Sequence, residues 1–198
     1  MNKLKIFFVV LFLSLSNFNS LFANDRDTLT KKIYFNLTFF NAAIVKTYGL
    51  NFGIEKTLFQ NDKYHIINGI KLNSGIKKDA YLMGGFTYSS SLRRTYKFGM
   101  FFEHSVRFGY LGSYYFNDLY FIKDEQIKNI GRKWLSSLTL GYFLGLGYDF
   151  SKKSNLDLQI FAGTNFFYRF PNLDNVFYFN NITLEAGIRF TIWKNKTF

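Results

Sequence analysis

Glu103-His104-Ser105 brings together the residue types of nucleophilic catalysis: a hydroxyl, an imidazole base and a carboxylate. Such chemistry needs the base within hydrogen-bond reach of the nucleophile. Here both lie in a run, 96–110, of strict alternation. Tyr96, Phe98, Met100, Phe102, His104, Val106, Phe108 and Tyr110 alternate with Lys97, Gly99, Phe101, Glu103, Ser105, Arg107 and Gly109. A period of two is a strand, and a strand sends neighbouring side chains to opposite faces. His104 then belongs to the large apolar face and Ser105 to the other, with Glu103. Base and nucleophile are kept apart unless a bulge intervenes, and serine with a carboxylate alone is a poor nucleophilic set. The other histidine, His65, is distant in sequence, and the chain has no cysteine. Neither spacing nor ligand type marks a metal site, and no phosphate-binding loop, dinucleotide fingerprint or Gly-x-Ser-x-Gly elbow is present. The residues predict no enzyme activity and no cofactor.

A second group of chemistry-bearing residues shares parity. Glu55, Lys97, Glu103, Arg107, Asp149, Asp157, Arg169, Glu185 and Arg189 all fall on the slimmer face of alternating runs. The clearest run is 138–148. Its even positions are Leu138, Leu140, Tyr142, Leu144, Leu146 and Tyr148; its odd positions are Thr139, Gly141, Phe143, Gly145 and Gly147. The pattern recurs at 46–56, 156–170 and 182–192. Segments 64–76 and 80–88 follow it less tidily, and 32–40 reads as a strand of mixed facing. Eight candidate strands result, with period two fitting better than helical spacing.

The elements around these strands fit export. Residues 1–23 have a short basic start at Lys3 and Lys5, a ten-residue apolar run "IFFVVLFLSL" and a small residue at Ala23. This is the layout of a cleavable signal peptide, too short in its apolar part to span a membrane. The mature domain is expected at 24–198. It contains no apolar run of 18 or more residues, so it offers no transmembrane helix. Formal charge is +12, or +10 without Lys3 and Lys5, but the basic pairs are scattered. A nucleic-acid surface would concentrate them, and export also argues against that partner.

Connector lengths alternate. "TLFQNDK" (57–63), "SSSLRRT" (89–95) and "SKKSN" (151–155) are short and polar; 117–133 and 171–178 are longer. In an up-and-down chain the short ones share one end and the long ones the other. Bacterial outer-membrane barrels have this asymmetry, with short periplasmic turns and longer external loops.

A closed barrel also accounts for the two faces. Lipid offers no hydrogen bonds, so strands cross it only when every one is paired on both sides. The outer face must then be apolar. With eight strands the lumen is just wide enough to be filled by side chains. Gly141, Gly145, Gly147, Gly163 and Gly187 would make room there for Phe143, Phe161 and Arg107. Charges of both signs would pair into a plug. Tyr148, Tyr168, Tyr178, Trp134 and Trp193 lie near strand ends, where interfacial aromatics belong. A soluble lipid-binding barrel would reverse the faces and expose the glycine-rich one, which would weaken its strands.

"EAGIRFTIW" (185–193) resembles the last-strand signal of outer-membrane proteins, with Glu185, Gly187, Phe190 and Ile192 in its positions. It departs from that signal in continuing through Lys194 to Phe198. More broadly, 24–198 resembles the small eight-stranded outer-membrane β-barrel proteins of Gram-negative bacteria. The resemblance implies an antiparallel up-and-down barrel, recognition by the barrel-insertion machinery, and contact with outer-membrane lipid and lipopolysaccharide. Some barrels of this kind deacylate lipid A with a Ser-His pair. The expected work is structural, or binding of an external partner through 117–133 and 171–178. A narrow pore for small apolar solutes and a lipid A-modifying enzyme are the alternatives.

Overall fold

The structure, a computed structural model, describes residues 30–42, 46–61, 63–123, 126–131, 134–170 and 181–196. Eight long strands run up and down: β1 (Thr30–Ala42), β2 (Thr47–Gln60), β3 (Tyr64–Lys77), β4 (Tyr81–Thr95), β5 (Met100–Tyr115), β8 (Trp134–Asp149), β9 (Leu158–Phe170) and β10 (Asn181–Lys196). Between β5 and β8, β6 (Leu119–Lys123) and β7 (Gln126–Gly131) form a separate two-stranded hairpin. The eight pair antiparallel in the order β1-β10-β9-β8-β5-β4-β3-β2, and β1 bonds β2 to close the barrel. All-antiparallel closure leaves no strand edge to be satisfied by solvent.

The two ends differ. One carries the β6–β7 hairpin and is called the loop end here. The other has brief connections between Gln60 and Tyr64, at 96–99 and at 150–157, and is called the turn end. Asn61 organises the first, its Oδ1 accepting from the backbone N–H of Lys63 (3.0 Å) and Tyr64 (2.6 Å). Gly99 closes the second at φ +102°, a conformation open to glycine at little cost. In the third, Asp149 caps the single turn Phe150–Lys152, accepting from Ser151 N at 3.0 Å.

Several expected boundaries shift. "SSSLRRT" is not a connector: residues 89–95 are the turn-end half of β4. Three consecutive serines hide the alternation, but Ser89, Ser91 and Arg93 are buried while Ser90 and Arg94 are exposed. The run 96–110 begins its strand only at Met100, because 96–99 is the turn. β2 extends through Gln60, with a register shift between Thr57 and Phe59. The long connector 117–133 contains strands rather than open loop. The signal segment 1–23 and the 171–178 connector lie outside the described residues.

The faces sort as the alternation requires. Leu72 is 63% exposed and Ile192 58%, whereas Arg189 and Asn36 are 0% exposed. Large apolar side chains face outward on all eight barrel strands, and most charged strand residues face inward. Water-soluble proteins rarely show so extensive an apolar surface. In a bilayer the same surface replaces the acyl-chain contacts of lipid.

Candidate functional site

The lumen is built from glycine outward. A Cβ at Gly145 would lie 2.5 Å from the Phe143 ring, and one at Gly187 would lie 2.8 Å from the Phe161 ring. The absent side chains let these rings lie across the lumen, where Phe143 and Phe161 meet edge-to-face at 6.3 Å. Each ring then supports a guanidinium. Arg107 stacks over Phe143 at 4.2 Å, Arg189 over Phe161 at 4.0 Å, and Arg93 over Phe101 at 4.5 Å. Stacking leaves the edge of each guanidinium free to donate in its plane.

Those edges meet glutamates. Arg189 Nε reaches Glu55 Oε2 at 2.7 Å and its Nη2 reaches Glu103 Oε1 at 2.9 Å. Arg93 Nη2 lies 2.9 Å from Glu103 Oε2, and its Nη1 donates to Gln159 Oε1 at 2.7 Å. Gln159 Nε2 donates to Asp149 Oδ2 at 2.9 Å. At the other side of Glu55, Lys71 Nζ lies 3.2 Å from Oε1, and Asn36 Nδ2 donates to the same oxygen at 2.7 Å. One connected network therefore takes a residue from every barrel strand: Asn36, Glu55, Lys71, Arg93, Glu103, Asp149, Gln159 and Arg189. A second pair, Arg107 Nη1 to Glu185 Oε1 at 2.7 Å, lies nearer the loop end.

Both signs of charge fill this interior. Glu55, Glu103, Asp149 and Glu185 face Lys71, Arg93, Arg107 and Arg189, and Lys32 is buried as a fifth cation. An unpaired charge in such a site is costly, whereas charges already paired and hydrogen-bonded resist displacement. Beyond the network, a cavity of about 60 Å³ lies among Asn51, Lys71, Arg107, Asn165 and Glu185. Phe40, Tyr81 and Met83 pack together nearer the loop end, and Tyr81 Oη is 2.8 Å from Thr47 Oγ1.

The structure places the residues singled out by parity in three environments. Glu55, Glu103, Arg107, Asp149, Glu185 and Arg189 are buried and bonded as described. Lys97 and Asp157 are exposed, because the first falls in the 96–99 turn and the second precedes β9. Arg169 is half-buried near the loop end, over the Phe167 ring at 5.6 Å, with Nη2 3.7 Å from Met83 Sδ. Sequence reasoning passed over Lys71, Arg93, Asn36 and Gln159. Lys71 has a signal, lying between the outward Ile70 and Leu72. Arg93 was concealed by the assignment of 89–95 to a connector.

The Glu103-His104-Ser105 stretch is divided by the barrel wall. Ser105 is 2% exposed inside, where its Oγ accepts from Arg107 Nε at 3.4 Å. His104 faces outward, with Nδ1 3.0 Å from Tyr142 Oη on the neighbouring strand. Among the described residues no group of His, Asp and Glu is arranged to hold a metal ion. In the last strand Glu185 and Gly187 face the lumen, while Phe190 and Ile192 face outward.

No known family model matches the chain. No characterised protein matches it in sequence. Similarity to several solved structures is found. It is similar to Neisserial surface protein A (NspA) at 12% identity, covering 83% of this chain and 97% of that one, with a TM-score of 0.46. It is similar to the N-terminal β-barrel domain of Pseudomonas aeruginosa OprF at 12% identity, covering 83% and 98%, with a TM-score of 0.42. It is also similar to Ail, the attachment invasion locus protein of Yersinia pestis, at 12% identity, covering 83% and 100%, with a TM-score of 0.49.

Proposed function

We propose that the chain is a non-enzymatic outer-membrane barrel with a closed lumen, exported by the cleavable segment 1–23. The turn end faces the periplasm and the loop end the cell exterior. Its work is structural, or is binding through the external segments 117–133 and 171–178; the barrel is the support that holds them. Outer-membrane lipid and lipopolysaccharide are its surroundings, and Glu185, Gly187, Phe190 and Ile192 form the signal for the barrel-insertion machinery.

The observation that carries this reading is the network spanning all eight strands inside an apolar outer wall. Opening a path for ions would require breaking Arg189 from both glutamates at once. Membrane fractionation with heat-modifiable gel mobility tests address and closed β-structure together. The folded protein should fractionate with the outer membrane and run faster unheated than heated. Single-channel recording in planar bilayers tests the lumen: we expect a silent baseline. Steady conductance steps would overturn the closed lumen and favour the narrow pore.

A further inference from the structure

We infer that the turn end carries a binding site for the phosphate group of an anionic phospholipid, centred on Arg94; the inference rests on the membrane reading above. Arg93 and Arg94 are neighbours that part company. Arg93 enters the lumen network, while Arg94 is exposed on the outer wall of β4. Its guanidinium lies near two tyrosine rings, 5.7 Å from the centroid of Tyr64 and 5.3 Å from that of Tyr96. Among the described residues no carboxylate or hydrogen-bond acceptor engages it. Ring contacts of this kind restrict the guanidinium without using its N–H donors, which point to no acceptor among the described residues.

Two further cations flank it. Thr95 N donates to Lys63 O at 2.7 Å, which brings Lys63 beside the end of β4 and Arg94. Lys97 follows in the next turn. Both are exposed. Among the described residues, this corner has three exposed cations, Lys63, Arg94 and Lys97. Tyr96 stacks on Phe98 at 5.7 Å in the turn beyond Arg94, and on the barrel wall Phe102 of β5 stands opposite Arg94 and is 39% exposed. Arginine aimed sideways beside interfacial aromatics, with an apolar foot, suits a phosphate whose acyl chains run alongside the barrel.

Charge distribution favours the same occupant. Among the described residues, the turn end exposes Lys56, Lys63, Arg94, Lys97, Lys152, Lys153 and Lys194 against Asp157. The loop end exposes Lys46 and Lys78 against Asp79 and Asp118. A soluble acidic polymer would approach along the barrel axis and meet Lys152 and Lys153. A lipid meets Arg94, which points outward from the wall.

Spin-labelled phosphatidylglycerol and phosphatidylcholine, each diluted into phosphatidylcholine bilayers containing the full barrel, supply the test. The barrel should select phosphatidylglycerol over phosphatidylcholine by about twofold or more, and added salt should reduce the selection. Arg94→Gln should remove most of it, Arg94→Lys should keep part, and the pair Lys152→Gln, Lys153→Gln should leave it intact. Equal association of both lipids in a barrel that shows heat-modifiable mobility would overturn the site and leave the membrane reading standing. So would selection that survives Arg94→Gln but disappears in the Lys152, Lys153 variant, the behaviour of an axial polyanion surface. A chain that does not enter the bilayer at all refutes the membrane reading instead.

Discussion

Arg189 and Glu103 meet at 2.9 Å from β10 and β5, strands three places apart around the barrel wall. No backbone ladder joins these strands, so their contact is made by side chains alone. Because Arg189 also holds Glu55 of β2 at 2.7 Å, one guanidinium cross-braces three walls of the barrel.

The brace predicts a large and non-additive loss on truncation. Arg189→Met leaves two buried carboxylates short of a partner, and the barrel should lose about 3–5 kcal/mol. Glu103→Gln should also destabilise, since Arg189 and Arg93 both lose charge compensation. In the double variant the cost should fall short of the sum of the singles by about 0.5–3 kcal/mol. Reversible urea unfolding in lipid vesicles measures the cycle. Strict additivity would mean that the two side chains do not interact across the lumen.

The glycines of the slim face predict a second result, governed by space. At Gly163 a Cβ would lie 2.7 Å from Gly145 Cα and 2.7 Å from the Phe143 ring. Gly163→Val should cost about 1–3 kcal/mol by overpacking. Gly84, on the outward face of β4 between Leu82 and Phe86, is different: its nearest neighbour is Asn73 O at 3.8 Å, which is ordinary contact. Gly84→Ala should be neutral, or stabilising by about 0.5–1 kcal/mol through reduced chain entropy. Equal losses at both sites, read from the temperature of the gel-mobility transition, would show that the lumen is not close-packed around Phe143.

Much of this was legible because a strand's period of two writes both faces into the sequence. Residues 138–148 and 182–192 show it plainly: a large residue at one parity and glycine or charge at the other. Legibility failed where chemistry did not mark the face. In 89–95 serine occupies both parities, so the strand resembled a polar turn and Arg93 dropped out of view. In 96–99 the alternation runs on through a turn, which drew Lys97 into the lumen on parity alone. Asp157 was assigned the same way, one residue before β9 begins. Which glutamate meets which arginine was not readable at all. Partners such as Arg93 and Gln159 lie 66 residues apart, and their meeting depends on strand order and stagger.

The absence of cysteine makes the facing of each strand directly measurable. Single spin labels at Leu140, Leu144 and Ile188 should collide freely with oxygen dissolved in the bilayer. Labels at Thr139 and Thr183, both buried in the lumen, should be shielded from it. Reversal of that order would place the apolar face inside and return the chain to the soluble lipid-binding class.

The wall that divides His104 from Ser105 yields the sharpest statement about catalysis. The serine hydroxyl accepts from Arg107 within the lumen, and the imidazole is bonded to Tyr142 on the outer surface. Bringing the pair within 3 Å or so of each other would require a bulge in β5. The β5 register with β4 and β8 runs unbroken through both residues. Ser105→Ala and His104→Ala should therefore leave the acylation of lipid A unchanged, as judged by mass spectrometry of membranes from cells with and without each variant. His104→Ala should cost only what its exposed bond to Tyr142 contributes, about 0.5–1.5 kcal/mol. A change in acyl-chain number that depends on the wild-type chain and vanishes in both variants would mean that the two residues act together. The strand would then have to adopt a different register in the membrane.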